Sequence, residues 1–433
     1  MKKIAVNIAI LLPPIFICFF VYKYGITVPF CDQWELVPLL ERMYNHTLAL
    51  ADLWSPHNGH RLLFPKILML FLAYLSNWNI FLELCTNIVL AIFIFLFLLS
   101  ILRSTLQIIP SWLKIFISLA IFSMGQYENW SCGWQIQIFL SVLGSVIAIW
   151  AVNKWQGKTI GLVIAISAAV LSSYSFNSGL VTWPAVLVVM LMQNKWKLKH
   201  IVILILACVA TVLLYYYNYT TNNPELPSTL FFLSHPIIYI RYLLMYLGGS
   251  IARSRSFAPI LALILFALSL SAIFDIWRFD RQKLRDLAPW FALALYACMA
   301  ACATGLGRSG YGWQQASSSR YAMVSVLFPI SAAVFLAQST RINIAMNKNG
   351  GLRNPFLTGI LIAMFVLSYI HGYKKELESI KELSKKTNAT AFYLNHPELA
   401  DEQSLKVLGF DYNVVKLRSQ VLSELGIKFK EAK

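Results

Sequence analysis

Hydrophobic runs long enough to cross a lipid bilayer recur along nearly the whole chain, and that recurrence restricts the fold more than any motif does. A transmembrane helix takes roughly 20 mostly apolar residues. Candidate runs occupy about residues 4–22, 80–102, 111–126, 136–152, 159–173, 180–194, 200–217, 256–276, 288–305, 321–338 and 355–372, which makes eleven crossings. Two further runs are interrupted: 62–78 contains Pro65 and Lys66, and 235–249 contains His235, Pro236 and Arg241. Both read as helices lying at, or dipping into, the interface. Of the 433 residues, 58% are hydrophobic and 13% charged, against roughly 25% charged in soluble chains. Soluble enzymes, secreted disulfide scaffolds and disordered binders are thereby excluded. The expected fold is all-α and polytopic, with about 11 transmembrane helices, interfacial helices and a small helical C-terminal tail.

Charge placement orients this bundle. The formal net charge is +17, but the tail, 373–433, holds 11 of the 36 basic and nine of the 19 acidic residues and is nearly neutral. The surplus therefore sits in the membrane body, 1–372, where it reports cytoplasmic loops rather than a nucleic-acid surface. Met1-Lys2-Lys3 leads an apolar run to Phe20 with no small-residue cleavage site after it, which reads as an uncleaved first helix starting in the cytoplasm. With eleven crossings, sixteen of the 25 basic residues of the body then face inward. The positive-inside rule favours that parity. It places the tail outside, although Lys374 and Lys375 pull mildly the other way. Seven cysteines, most of them within apolar runs, do not form a disulfide framework.

The polar, aromatic-rich loops collect on the outer face. The first, 23–61, contains Cys31-Asp32-Gln33-Trp34-Glu35 and His57-Asn58-Gly59-His60-Arg61; later come Gln126-Tyr127-Glu128-Asn129-Trp130 and the stretch from Gly307-Arg308 to Ser319-Arg320-Tyr321. Loop carboxylates, cations at membrane depth and aromatic platforms suit transfer of a sugar from a lipid phosphate. Asp32 or Glu35 would take the acceptor hydroxyl proton. Arg308, Arg320, Arg61 and Lys66 are candidates to hold the phosphate. Gln126, Glu128, Asn129 and Gln135 would bond sugar hydroxyls, while Trp34, Trp54, Trp134 and Trp313 would stack on sugar faces. His57 and His60, separated by a flexible Asn-Gly, bond phosphate or Asp32 more readily than they form a metal site. Each residue has an ordinary reading too: Asp32 as a helix cap, Arg61 and Lys66 as snorkelling cations, the tryptophans as an interfacial belt.

In these short motifs, and in their order, the chain resembles bacterial multi-pass glycosyltransferases of the GT-C type. The residues carrying the likeness are Cys31-Asp32-Gln33-Trp34-Glu35, His57 to Lys66, the Gln126 to Asn129 segment, and Gly307-Arg308 with Ser319-Arg320-Tyr321. The resemblance implies an inner-membrane enzyme that inverts the anomeric centre, with a polyprenyl-phosphate sugar as donor and an essential Asp in the first periplasmic loop. That makes Asp32 the leading base, with Glu35 one helical turn away left as the other candidate. Arg308, Arg320 and Tyr321 fall in the substrate-binding set, and the acceptor would be a lipid-linked or lipopolysaccharide glycan such as O-antigen. Membrane lipid is the other implied partner, nucleic acid is not, and no cofactor is called for, the metal requirement being left open. A lipid-linked sugar flippase or glycan transporter, and an O-antigen polymerase or ligase, are the competing readings.

Overall fold

The structure, a computed structural model, describes residues 2–219, 227–252, 254–345, 359, 363, 373–374 and 376–431. The chain is an all-α, multi-pass membrane protein. Among the described residues, seven helices are long and apolar enough to span a bilayer: Lys3–Tyr24, Ile80–Thr105, Gly133–Lys154, Leu198–Tyr216, Phe257–Phe279, Ala288–Tyr311 and Ser319–Ile344. Thr159–Ser173 and Asn177–Gln193 are shorter apolar helices. The eleventh expected crossing, 355–372, lies outside the described residues except for 359 and 363.

The two ends of the bundle are chemically distinct. At one end, Trp290 Nε1 donates to Thr105 Oγ1 (2.8 Å) and Arg341 donates to Gln107 (3.3 Å), joining three helix ends. A mainly apolar cavity of about 480 Å³ lies beside Leu106, Trp112 and Arg341 there. At the other end the first loop, the 123–135 segment, the 304–321 segment and the C-terminal tail pack into one layer. Between the ends, Ser145 bonds Ser172 (2.9 Å) and Thr182 (2.6 Å), tying three helices by hydroxyls whose alternative in lipid would be no partner at all.

Neither interrupted run crosses the bundle. Leu63–Ser76 begins where Lys66 reaches Ser55, and just past its end Asn77 donates to Gly426 O of the tail (3.3 Å), so both ends lie in the same layer. Its exposed Ile67, Phe71, Tyr74 and Leu75 recur at i, i+4, i+7 and i+8, one apolar face left for lipid. Pro236–Gly248 likewise stays in that layer, with Tyr239 donating to Cys302 O (3.1 Å) and Tyr242 to Gln315 (2.5 Å).

One expected crossing takes a different shape. The helix of 111–126 stops at Ile121, about 16 Å long at 1.5 Å per residue. Short turns at Met124–Gln126, Tyr127–Ser131 and Gly133–Gln135 follow, and most of their residues are buried. This stretch is therefore a plug inside the protein rather than a solvated loop. Irregular backbone survives at such depth when protein groups satisfy it: Asn87 Nδ2 donates to Asn129 O (3.2 Å) and Cys132 O (3.1 Å).

Candidate active site

Asp32 stands in the first turn of a 3₁₀ helix, Cys31–Leu36, that opens the first loop's structured part. Gln33 Oε1 accepts from Phe30 N (3.2 Å) and so caps this turn. The turn starts with Cys31 in the left-handed region at φ 50°, a conformation a non-glycine residue adopts at a cost.

His57 and His60 are not separated by a flexible link. Asn58 (φ 44°) and Gly59 (φ 80°) form the corner of a two-residue hairpin, with Pro56 opposite Arg61 and His57 opposite His60. Two successive positive φ values are what such a corner requires, and Asn-Gly supplies them. The hairpin sets His57 Nε2 3.6 Å from Asp32 Oδ2 and packs the His57 ring 5.2 Å from Trp134. His60 stacks on Phe176 at 4.6 Å.

These residues line a cavity of about 630 Å³ together with Arg308, Arg320, Tyr321 and a tyrosine wall of Tyr215, Tyr216 and Tyr219. Burial raises the Asp32 carboxyl, but the neighbouring His57 and the Arg320 guanidinium outweigh it and hold the group below the usual carboxylate range. Burial and the neighbouring Arg308 push His60 down to about 3, so this imidazole is neutral. The site thus presents an ionised carboxylate facing two guanidinium groups.

The segment Gln126 to Asn129 serves Arg320. Glu128 Oε2 accepts from Ser318 Oγ (3.1 Å) and Arg320 N (3.3 Å), and Glu128 N donates to Ser319 Oγ (3.2 Å). Asn129 Nδ2 donates to Arg320 O (3.3 Å) and to Gln126 Oε1 (3.0 Å), while Gln126 Nε2 donates to Ile121 O. The main chain on both sides of Arg320 is fixed, leaving its side chain at the cavity. Tyr321 accepts from Gln315 Nε2 (2.9 Å) and stacks on Tyr246 at 5.1 Å.

Arg61, Lys66 and Glu35 lie outside the cavity lining. Arg61 is buried and donates to three main-chain carbonyls: Tyr215 O (2.6 Å), Trp54 O (2.5 Å) and Tyr217 O. It closes the C-terminus of the Leu198–Tyr216 helix, whose last carbonyls lack helical partners. Lys66 Nζ does the same for the short Leu50–Trp54 helix, donating to Asp52 O (3.2 Å), Leu53 O (3.4 Å) and Ser55 O (2.8 Å). Glu35 accepts from Arg418 in the tail (2.9 Å). Of the paired acids, then, only Asp32 reaches the cavity. Cys31 and Cys132 are free thiols. Among the described residues, no three His, Cys, Asp or Glu converge to hold a metal ion.

No protein-family model matches this sequence, and no curated protein matches it. Two solved structures are similar to it. The archaeal oligosaccharyltransferase AglB from Archaeoglobus fulgidus, solved with an inhibitory peptide and a dolichol-phosphate, superposes with a TM-score of 0.50 at 14% identity, over 95% of this chain and 60% of its own. This chain thus spans about three fifths of that enzyme. ArnT from Cupriavidus metallidurans, in the apo state, gives a TM-score of 0.43 at 10% identity over 99% of this chain and 78% of its own. At such identities the AglB match defines the class of fold, a GT-C-like polytopic bundle, and no residue's role.

Proposed function

We propose that the protein is an inverting glycosyltransferase that moves one sugar from a polyprenyl-phosphate donor to a cell-envelope glycan, such as lipopolysaccharide O-antigen, at the periplasmic face of a bacterial inner membrane. One observation carries this reading: a single cavity at one end of a membrane bundle combines the Asp32 carboxylate, held by His57, with Arg308 and Arg320. Asp32 takes the proton of the acceptor hydroxyl as that oxygen attacks C1 of the donor sugar. The C1–O bond to phosphate breaks with its electron pair on the departing polyprenyl phosphate, whose growing charge Arg308 and Arg320 stabilise. Attack from the face opposite the phosphate inverts C1. Supporting the lipid donor are the exposed apolar Leu213 and Leu230, close in sequence to the cavity-lining Tyr215 and Thr229.

Asp32→Asn tests the reading, because it removes the base and keeps the side chain's shape. General-base catalysis contributes on the order of 10²- to 10⁴-fold, and transfer should fall by that much in a protein that still inserts. Wild-type transfer by Asp32→Asn would end this assignment.

A further inference from the structure

The turn that carries Asp32 is bolted to the membrane bundle through a carboxylate that no part of the reaction uses. Glu83 sits in the first turn of Ile80–Thr105 and is 1% exposed. Its Oε2 accepts from Gln33 Nε2 (2.8 Å) and its Oε1 from Trp78 Nε1 (3.0 Å). Gln33, the neighbour of Asp32, is itself 1% exposed and uses its other end, Oε1, on Phe30 N. The backbone of Gly133 presses on the same carboxylate so closely that a Cβ there would stand 2.0 Å from Glu83 Oε2. One residue on is Trp134, which lines the cavity beside His57. Neither Glu83 nor Gln33 lines the cavity.

A buried carboxylate is costly and is retained where its bonds do something a hydrophobic residue cannot. Here it fixes two pieces of the cavity at once, the Asp32 turn through Gln33 and the Trp134 turn through Gly133. We propose that Glu83 and Gln33 are positioning residues that set Asp32 against the donor site, acting through the hydrogen bond between them and touching no substrate. This inference rests on the reading of Asp32 as the base.

The bond's polarity supplies the test. In Glu83→Gln one amide oxygen is left for two donors, so the N–H2 must face either the Gln33 N–H2 or the Trp78 N–H. In either orientation the group that Gln33 rests on is displaced, while Gln33 cannot flip without turning its donors on Phe30 N. In Gln33→Glu two carboxyls would meet. The exchanged pair, Gln33→Glu with Glu83→Gln, restores one donor and one acceptor: the amide at 83 still accepts from Trp78, and the carboxylate at 33 still accepts from Phe30. A misplacement of about 1 Å costs on the order of 10²-fold in rate, so each single variant should lose sugar transfer to the envelope glycan by at least about tenfold. The exchanged pair should recover to within about threefold of wild type. All three should bind polyprenyl phosphate, the probe for correct folding of the Arg308 and Arg320 site, with near wild-type affinity. An exchanged pair no better than the singles while binding polyprenyl phosphate normally, or a fully active Glu83→Gln, overturns the proposal. Asp32→Asn run alongside separates the two readings: if it is inactive while Glu83→Gln is active, only the positioning role fails, and if Asp32→Asn transfers normally the base assignment itself fails.

Discussion

His57 stands between Asp32 and Trp134 and is the neighbour that does most to lower the Asp32 pKa. A general base works only while deprotonated, so transfer falls as pH drops through the Asp32 pKa, and the lowered value moves that fall to more acidic pH. His57→Ala removes the neighbour that does most to lower it, so the acidic limb of the pH–rate profile should shift upward. An unmoved limb would mean that another group titrates there. Arg61 makes the opposite kind of prediction. Arg61→Ala strips three carbonyls of a charged donor and should cost on the order of 2 kcal/mol or more, read as a lower melting temperature in detergent, with polyprenyl phosphate still bound by the folded protein. Lysine at 61 should rescue little, lacking the guanidinium fork. The sequence could place Asp32 in a loop rich in chemistry, but spacing alone could not separate it from Glu35, whose partner Arg418 is 383 positions away. For the same reason Arg61 looked like a phosphate ligand: its carbonyl partner Tyr215 is 154 residues downstream.

At the scale of elements, the C-terminal tail and the first loop are one assembly. Asn388 accepts from Thr27 N (2.8 Å) and donates to Gly25 O (2.9 Å), Gly409 rests against Cys31 Sγ, and Trp78 meets Phe429 at 6.0 Å. Magnitudes rank these ties. The Arg418–Glu35 pair is part-exposed, and such pairs contribute roughly 0.2–1 kcal/mol, whereas losing Asn388 strands two backbone groups at about 1–3 kcal/mol each. Asn388→Ala should therefore speed proteolysis of the tail clearly more than Arg418→Ala does. Equal sensitivity would mean that apolar packing alone docks the tail. The amphipathic patterns of 376–386 and 413–425 made tail helices legible, and residues 376–388 and Tyr412–Glu424 are helical. The Asn-Gly hairpin was hidden because two-residue strands leave almost no periodicity to read, and the buried 123–135 plug because its polar residues resemble a solvated loop.

Over the whole molecule, the structure puts the Asp32 loop, the 304–321 segment and the tail at one end, and the turns after residues 105, 154, 193 and 279 at the other. Reporter fusions after residues 46, 311 and 431 should agree with one another and oppose fusions after 156, 195 and 281. The positive-inside rule predicts that the second set is cytoplasmic. Mixed reports within either set would break the eleven-crossing topology. This much was legible because apolar length and loop charge are local properties. Where Glu83, Gln33 and the two arginines meet depends on tertiary packing and was not.

The most direct test of the central claim is a cryo-EM map of the protein with polyprenyl phosphate bound. The account predicts the phosphate within hydrogen-bond reach of both Arg308 and Arg320, with the Asp32 carboxylate facing it across the same cavity. Phosphate density at the opposite end, beside Arg341, or in a cavity from which Asp32 is absent, would contradict it.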